Sequence, residues 1–141
     1  MIICIDFDGT CVTHEFPKIG KDIGAQAVLR KLIAAGHRLI LFTMRSDVDN
    51  PESDNPEIHA YKGMYLTDAV NWFSENNIGL WGVNTNPEQF KWTQSPKAYG
   101  QLYIDDAALG CPLKTDPAFS DRPFADWAVI EKMLIGIGII T

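Results

Sequence analysis

MIICIDFDGT, residues Met1–Thr10, is the stretch on which the fold turns. Ile2, Ile3, Cys4 and Ile5 form a continuous apolar run, the pattern of a short strand covered on both faces. Asp6, Phe7, Asp8, Gly9 and Thr10 follow without a break. Alternate residues of a strand share a face, so Asp6 and Asp8 point the same way at its carboxyl end. Two carboxylates held there repel each other unless a cation sits between them. Mg²⁺ fits best, as a hard cation that takes oxygen ligands and keeps waters and a substrate phosphate. Gly9 lets the backbone turn sharply out of the strand.

The pattern repeats outward along the chain. Asp22–Ala35 carries an apolar stripe (Ala25, Val28, Leu29, Leu32, Ile33) at helical spacing, and Gly36 stops it. Arg38–Phe42 is a second apolar strand ending in Thr43, Met44, Arg45 and Ser46. Strand, helix, strand makes the two strands parallel, with their carboxyl ends side by side. Ligands of open α/β sheets bind at that edge. Thr43 can donate its hydroxyl to a phosphate oxygen there, and Arg45 is an anion contact or a surface ion pair.

Asp47–Gly63 has no period and reads as a substrate-facing loop. Met64–Asn76 is a second helix and Ile78–Val83 a third strand, with Asn84 at the active edge. Phe90 and Trp92 are expected to pack the following loop onto the body. Leu102–Ile104 is a fourth strand, and Asp105 and Asp106 return two more carboxylates to the same edge. Lys97 precedes it and can neutralise phosphate charge or hold Asp6. Ala107–Asp121 reads as a loop and Ala125–Ile135 as a final helix. His14 and Glu15, in the connection Cys11–Lys21 that folds over the site as a flap, read as solvated side chains.

The composition bounds what this can be. At 141 residues the length fits one domain, 1–141, with room for a proper core. A net charge of −6 argues against general nucleic-acid or anionic-membrane binding, so nucleic acid enters only as a substrate end. Cys4, Cys11 and Cys111 have no metal-site spacing and read as bystander thiols in a reducing, cytoplasmic setting. The amino-terminal stretch lacks a basic n-region, and no apolar run reaches membrane-spanning length.

DFDGT after an apolar strand, a Thr ending the next strand, a Lys, and then IDD resembles the haloacid dehalogenase-like phosphohydrolase superfamily. The ordered set spans residues 6 to 106. The resemblance implies a three-layer α/β/α Rossmann-like sandwich with a mainly parallel central sheet. It implies an Mg²⁺-dependent phosphatase acting through an aspartyl-phosphate. Asp6 would be the nucleophile and Asp8 the general acid/base. Asp6, Asp8 through its backbone carbonyl, and Asp105 or Asp106 would hold the metal. Thr43 and Lys97, with Gly9, Thr10, Met44 and Arg45, would bind the phosphoryl group.

Two features depart from that pattern. Lys97 falls only a short step before Asp105, with Lys91 as the fallback, and the intervals leave no room for a large cap domain. A capless member has an open site, which suits a phosphorylated substrate that is large or flexible, unless oligomerisation closes it. The rival reading is a non-catalytic phosphate or Mg²⁺ sensor of the receiver kind, which also gathers acids, a Thr and a Lys at the carboxyl edge of a parallel sheet.

Overall fold

The four apolar runs fold as one parallel sheet. The computed structural model describes residues 1–48 and 63–141. In chain order its elements are β1 (Ile2–Ile5), α1 (Ala25–Ala34), β2 (Arg38–Leu41), β3 (Asp47–Val48), β4 (Gly63–Met64) and α2 (Tyr65–Glu75). β5 (Leu80–Val83), β6 (Leu102–Ile104), β7 (Leu113–Lys114), β8 (Phe124–Ala125) and α3 (Trp127–Gly136) complete it. The sheet order is β5-β2-β1-β6, so β1 is internal, paired in parallel with β2 on one side and β6 on the other. Among the described residues there is no cap domain, and no helix is long and apolar enough to cross a membrane.

Period-2 alternation sorts the strand residues between two faces. Ile3, Ile5, Leu39 and Leu41 share one cluster with Ala25, Val28, Leu29 and Leu32 of α1, Ala69, Trp72 and Phe73 of α2, and Trp127, Ile130 and Leu134 of α3. All three helices therefore cover the same face. Cys4 and Ile40 point the other way, against Ala98, with Ile2, Phe42 and Trp81 at the margin. The third layer is thus the 84–101 connection, whose regular structure is one 3₁₀ turn, Gln89–Lys91. Buried Gln89 knots that segment together. Its amide donates to the carbonyls of Ser95 (2.9 Å) and Lys97 (3.0 Å) and accepts from the Tyr99 N–H (2.8 Å). Full burial of side chains such as Phe73 and Leu29 contributes roughly 1.5–3 kcal/mol each.

The element ends differ from expectation for local reasons. Asp22 was expected inside α1, but it bridges Val12 across the flap, and α1 starts at Ala25. Met64 pairs with Asp47 in the short antiparallel β3–β4 ladder, so α2 starts at Tyr65. Ala125 pairs with Leu113 in the β7–β8 ladder, which interrupts the stretch expected as plain loop. Asp126 then caps α3, accepting from the N–H groups of Ala128 (3.1 Å) and Val129 (3.2 Å). Phe90 and Trp92 are largely exposed rather than packed on the body; Trp92 meets Tyr99 edge-on, with centroids 5.5 Å apart. Most of the expected loop Asp47–Gly63 lies outside the described residues.

Candidate functional site

The ladder hydrogen bonds run past the strand ends and fix the carboxyl edge. Asp6 N–H donates to Ile104 carbonyl (3.0 Å), Phe42 N–H to Ile5 carbonyl (2.8 Å) and Asn84 N–H to Leu41 carbonyl (2.7 Å). Asp6, Thr43, Asn84 and Asp105 therefore emerge together. After Asp6 the chain wraps tightly around the Phe7 carbonyl, which accepts from the N–H groups of Thr10, Cys11 and Val12 (3.2, 2.7 and 3.3 Å). Gly9 sits in this turn at φ +82°, where a Cβ would run into the His14 ring and the Asp106 carboxylate.

Thr10 is fully buried and ties the acids to one another. Its Oγ1 lies 3.1 Å from Asp6 Oδ2 and 3.3 Å from Asp106 Oδ1, and accepts from Asp106 N–H (3.0 Å). One hydroxyl carries one proton, so the two carboxylates share it. From α3, Trp127 Nε1 donates to the Thr10 carbonyl (2.6 Å) and holds this knot in place.

One ligand atom from each of Asp6, Asp105 and Asp106 lies within 4.8 Å of the others. The Asp6 carboxyl is pushed up from 3.8 to about 7, mainly by burial and further by the charges of Asp105 and Asp106; the Phe7 N–H and the Thr10 hydroxyl oppose the rise. Among the described residues no ion pair joins a Lys or Arg to any of the three carboxylates. A half-buried, all-oxygen cluster with no paired Lys or Arg among the described residues fits a hard divalent cation such as Mg²⁺.

The fold has a solved counterpart. A structure described as a conserved protein coded by a locus from Bacteroides thetaiotaomicron is similar over 96% of this chain and 90% of that one, with 29% identity and a TM-score of 0.69. No protein-family model matches this chain, and neither does any curated protein sequence. The structural likeness supports the α/β fold; the name carries no activity.

Asp8 has a different environment from Asp6. Both of its oxygens accept from Arg45, Nε to Oδ2 at 2.7 Å and Nη2 to Oδ1 at 2.8 Å. The Arg45 side chain is only 1% exposed. This corrects the expectation that Arg45 meets solvent or a phosphate: its guanidinium is consumed by Asp8 and by backbone carbonyls.

Three further phosphate-binding expectations are corrected. Gly9 N–H donates to Val12 carbonyl (2.7 Å), and Thr10 N–H to Phe7 carbonyl, so neither presents its backbone donor to a ligand. Lys97 is not paired with Asp6; its ammonium sits over the Tyr103 ring, 5.5 Å from the centroid, where its charge acts on Cys4. Thr43 does reach the edge. Its N–H donates to Asn84 Oδ1 (2.8 Å) and its hydroxyl accepts from Arg45 N–H (3.2 Å), leaving the hydroxyl proton without an acceptor among the described residues. Met44 beside it is 97% exposed, so only its backbone can serve a phosphate.

His14, read from sequence as a solvated flap residue, is the residue that sequence reasoning missed. Its Nε2 lies 2.9 Å from Asp106 Oδ2, and its side chain is 13% exposed. The signal was the small residue at Gly9, whose open Cβ position the imidazole fills. Both Asp105 and Asp106 belong to the cluster. Asp106 is held by Thr10 and His14, whereas among the described residues the Asp105 carboxylate accepts only a local turn bond from Ala107 N–H (2.8 Å). Burial pushes the Cys4 thiol up to about 11 and raises those of Cys11 and Cys111, which disfavours the thiolate.

Proposed function

We propose that this protein is an Mg²⁺-dependent phosphohydrolase of the haloacid dehalogenase-like kind. The observation that carries the reading is the convergence of Asp6, Asp105 and Asp106 within 4.8 Å at the end of the central strand, with the Thr43 hydroxyl on the next strand. Asp6, Asp105 and Asp106 would hold the cation, whose charge offsets the repulsion between a carboxylate and a phosphate dianion.

The chain's own residues supply the rest. The Asp6 carboxylate attacks phosphorus in line and forms a mixed anhydride as the bond to the leaving oxygen breaks. The Thr43 hydroxyl donates to a phosphoryl oxygen and orients it. Water then attacks phosphorus, the bond to Asp6 breaks and returns its carboxylate, and Asp8 takes a proton from that water. Thr10 and Asn84 are positioning residues, one for the acids and one for Thr43. The substrate class is a phosphorylated compound, and an edge with no cap domain among the described residues favours one that is large or flexible. Three free thiols accord with a cytoplasmic place of action.

Phosphate release from p-nitrophenyl phosphate, with and without Mg²⁺, tests this in wild type and Asp6→Asn. Metal-dependent turnover that disappears in Asp6→Asn is the expected result. A second reading, a phosphate- and Mg²⁺-binding sensor, is favoured by the engagement of Asp8 with Arg45 and by the Lys97 ammonium lying over Tyr103 and in no ion pair with the acids among the described residues. Calorimetric binding of Mg²⁺ and a phosphate mimic, without turnover on a broad panel of phosphate esters, would select it.

A further inference from the structure

We propose that the exposed face of the 84–101 connection binds a nucleotide, whose base stacks on Trp92 and Tyr99 and whose phosphate is held by Lys97, Thr93 and Ser95. The pocket shares no residue with the acid cluster. The inference goes beyond the phosphohydrolase reading and does not depend on it.

The aromatic side chains of this segment are displayed, not packed. Phe90, Trp92, Tyr99 and Tyr103 are all exposed, Trp92 by 65%. Single exposed apolar residues are ordinary on a surface, but rings gathered around one concavity mark a binding site. Trp92, Tyr99 and Tyr103 line a pocket of about 370 Å³. Trp92 meets Tyr99 at 87°, an edge-on contact that leaves ring faces open instead of closing them on each other. The backbone beneath is pinned. Besides the Gln89 bonds, Asn86 Nδ2 donates to the Tyr99 carbonyl (3.0 Å). The Tyr103 hydroxyl donates to the Ala98 carbonyl (2.7 Å) and accepts from Gly100 N–H (3.0 Å). Ala98 itself is buried against Cys4 and Ile40. Rings carried on so fixed a segment have little freedom to lose on binding.

The polar part of the pocket consists of donors. Thr93 Oγ1 accepts from Ser95 N–H (3.1 Å) and Ser95 Oγ from Lys97 N–H (3.2 Å), and neither hydroxyl proton has an acceptor among the described residues. The Lys97 ammonium, held over the Tyr103 ring, is in no ion pair among those residues. Two hydroxyl protons and an ammonium around one concavity suit a phosphate, which brings several acceptor oxygens. The local charge agrees. From Gln89 to Ile104 the chain carries Lys91 and Lys97 and no Asp or Glu, in a protein of net charge −6. A sugar without a base is the poorer fit: its hydroxyls need acceptors, and among the described residues no carboxylate or side-chain amide lines the pocket. A base needs only a ring face, and every base has one. The net charge in turn favours a single nucleotide over a polyanionic strand.

Calorimetry with adenosine monophosphate, ribose phosphate, adenosine and a short oligothymidylate tests this, all in chelator so that no metal serves the acid cluster. Adenosine monophosphate should bind at one site at millimolar concentration or below. Ribose phosphate and adenosine should each bind about tenfold more weakly or worse, since one lacks the stack and the other the charged contacts. Trp92→Ala should weaken the nucleotide about 5- to 150-fold, the worth of one base–aromatic stack. Trp92 is exposed, so its loss leaves the core intact. Lys97→Ala should weaken adenosine monophosphate and not adenosine, and Asp6→Asn should leave the binding unchanged. No saturable binding of adenosine monophosphate, or equal binding by Trp92→Ala, overturns the inference. Equal affinity for ribose phosphate also overturns it, by making the ligand a plain anion, and loss of binding in Asp6→Asn does so by moving the nucleotide to the acid cluster. Tighter binding of the oligothymidylate than of adenosine monophosphate overturns the single nucleotide in favour of a strand. Metal-dependent phosphate release is read separately, so the two readings fail independently.

Discussion

Arg45→Met should destabilise the protein far more than loss of any surface charge, because it strips a buried network of the one cation it holds among the described residues. Removing one partner of a buried ion pair costs about 3–5 kcal/mol, since the other charge is left without compensation. Asp8 keeps 19% of its side-chain surface, so water recovers part of that, and the lower bound of about 3 kcal/mol applies. Methionine keeps an apolar stem between the rings of Phe7 and Phe16, so a packing void adds little. The carbonyls of Pro17, Lys18 and Tyr65 lose donors as well, but flap carbonyls can hydrate and add little to the figure. At this length each kcal/mol moves Tm by roughly 4 °C, giving a drop of about 12 °C. Urea denaturation followed by tryptophan fluorescence measures it directly. The double variant Arg45→Met/Asp8→Asn should be more stable than the sum of the two singles predicts, by about 2 kcal/mol, because the orphaned carboxylate is gone. The Lys31–Glu131 pair, exposed by 54% and 28%, is the internal reference, and Lys31→Ala should cost about 0.5 kcal/mol or less. If Arg45→Met costs no more than Lys31→Ala, the clamp does not hold this structure together.

The remaining predictions concern the acid cluster. In metal-free protein, native Asp6 binds its proton up to about pH 7 while the unfolded chain releases it near 3.8. Stability is therefore greatest below about pH 4 as far as this group is concerned, and is lost as pH rises to about 7, by on the order of 4 kcal/mol. Asp6→Asn should flatten that part of the urea-midpoint profile in chelator, and an identical slope in both proteins would contradict the assignment. Mg²⁺ at about a hundredfold over its Kd should raise stability by about 2.7 kcal/mol above neutral pH. Asp105→Asn and Asp106→Asn should each weaken binding in calorimetry, and a full response in both would exclude the cluster as the site. Trp127→Phe removes the donor to the buried Thr10 carbonyl and should cost about 1–3 kcal/mol in urea unfolding, with weaker Mg²⁺ binding as the knot loosens. Unchanged Mg²⁺ affinity would show that Thr10 does not depend on α3.

The strand ends were legible because burial writes them into the sequence. A strand covered on both faces must be apolar throughout, so the polar residue that ends the run marks the carboxyl edge without any tertiary information. That logic placed Asp6, Thr43, Asn84 and Asp105 together. What it could not supply were contacts set by the paths of loops. His14 reaches Asp106 across 92 residues of sequence and Arg45 reaches Asp8 across 37; neither pair has a local pattern. The failure at Lys97 has the same origin. Its loop is pinned by Gln89 against the face of the sheet opposite the helices, and this directs the lysine over Tyr103 instead of toward Asp6. The stretch holding Phe90 and Trp92 reads as loop in the sequence, whereas a helical third layer was implied only by the family resemblance.

Asp6 and Asp8 stand two residues apart at one strand end, and the fold gives them opposite surroundings. Asp8 receives a complete guanidinium, buried and fully bonded. Asp6 receives burial, two neighbouring acids and a single shared hydroxyl proton. Separating the environments of paired carboxylates is how a site assigns them different tasks. With Arg45 committed to Asp8, no Lys or Arg among the described residues balances the charge at Asp6, Lys97 included. Protonation can do so below neutral pH, or a divalent cation above it. The two compete for the same oxygens, so cation binding near pH 6 must release a proton that binding near pH 8 does not. Calorimetry in buffers of different ionisation enthalpy reads that proton directly. Release of a proton at the lower pH alone, and its disappearance in Asp6→Asn, would locate the cation on Asp6; binding with no linked proton at either pH would put it elsewhere.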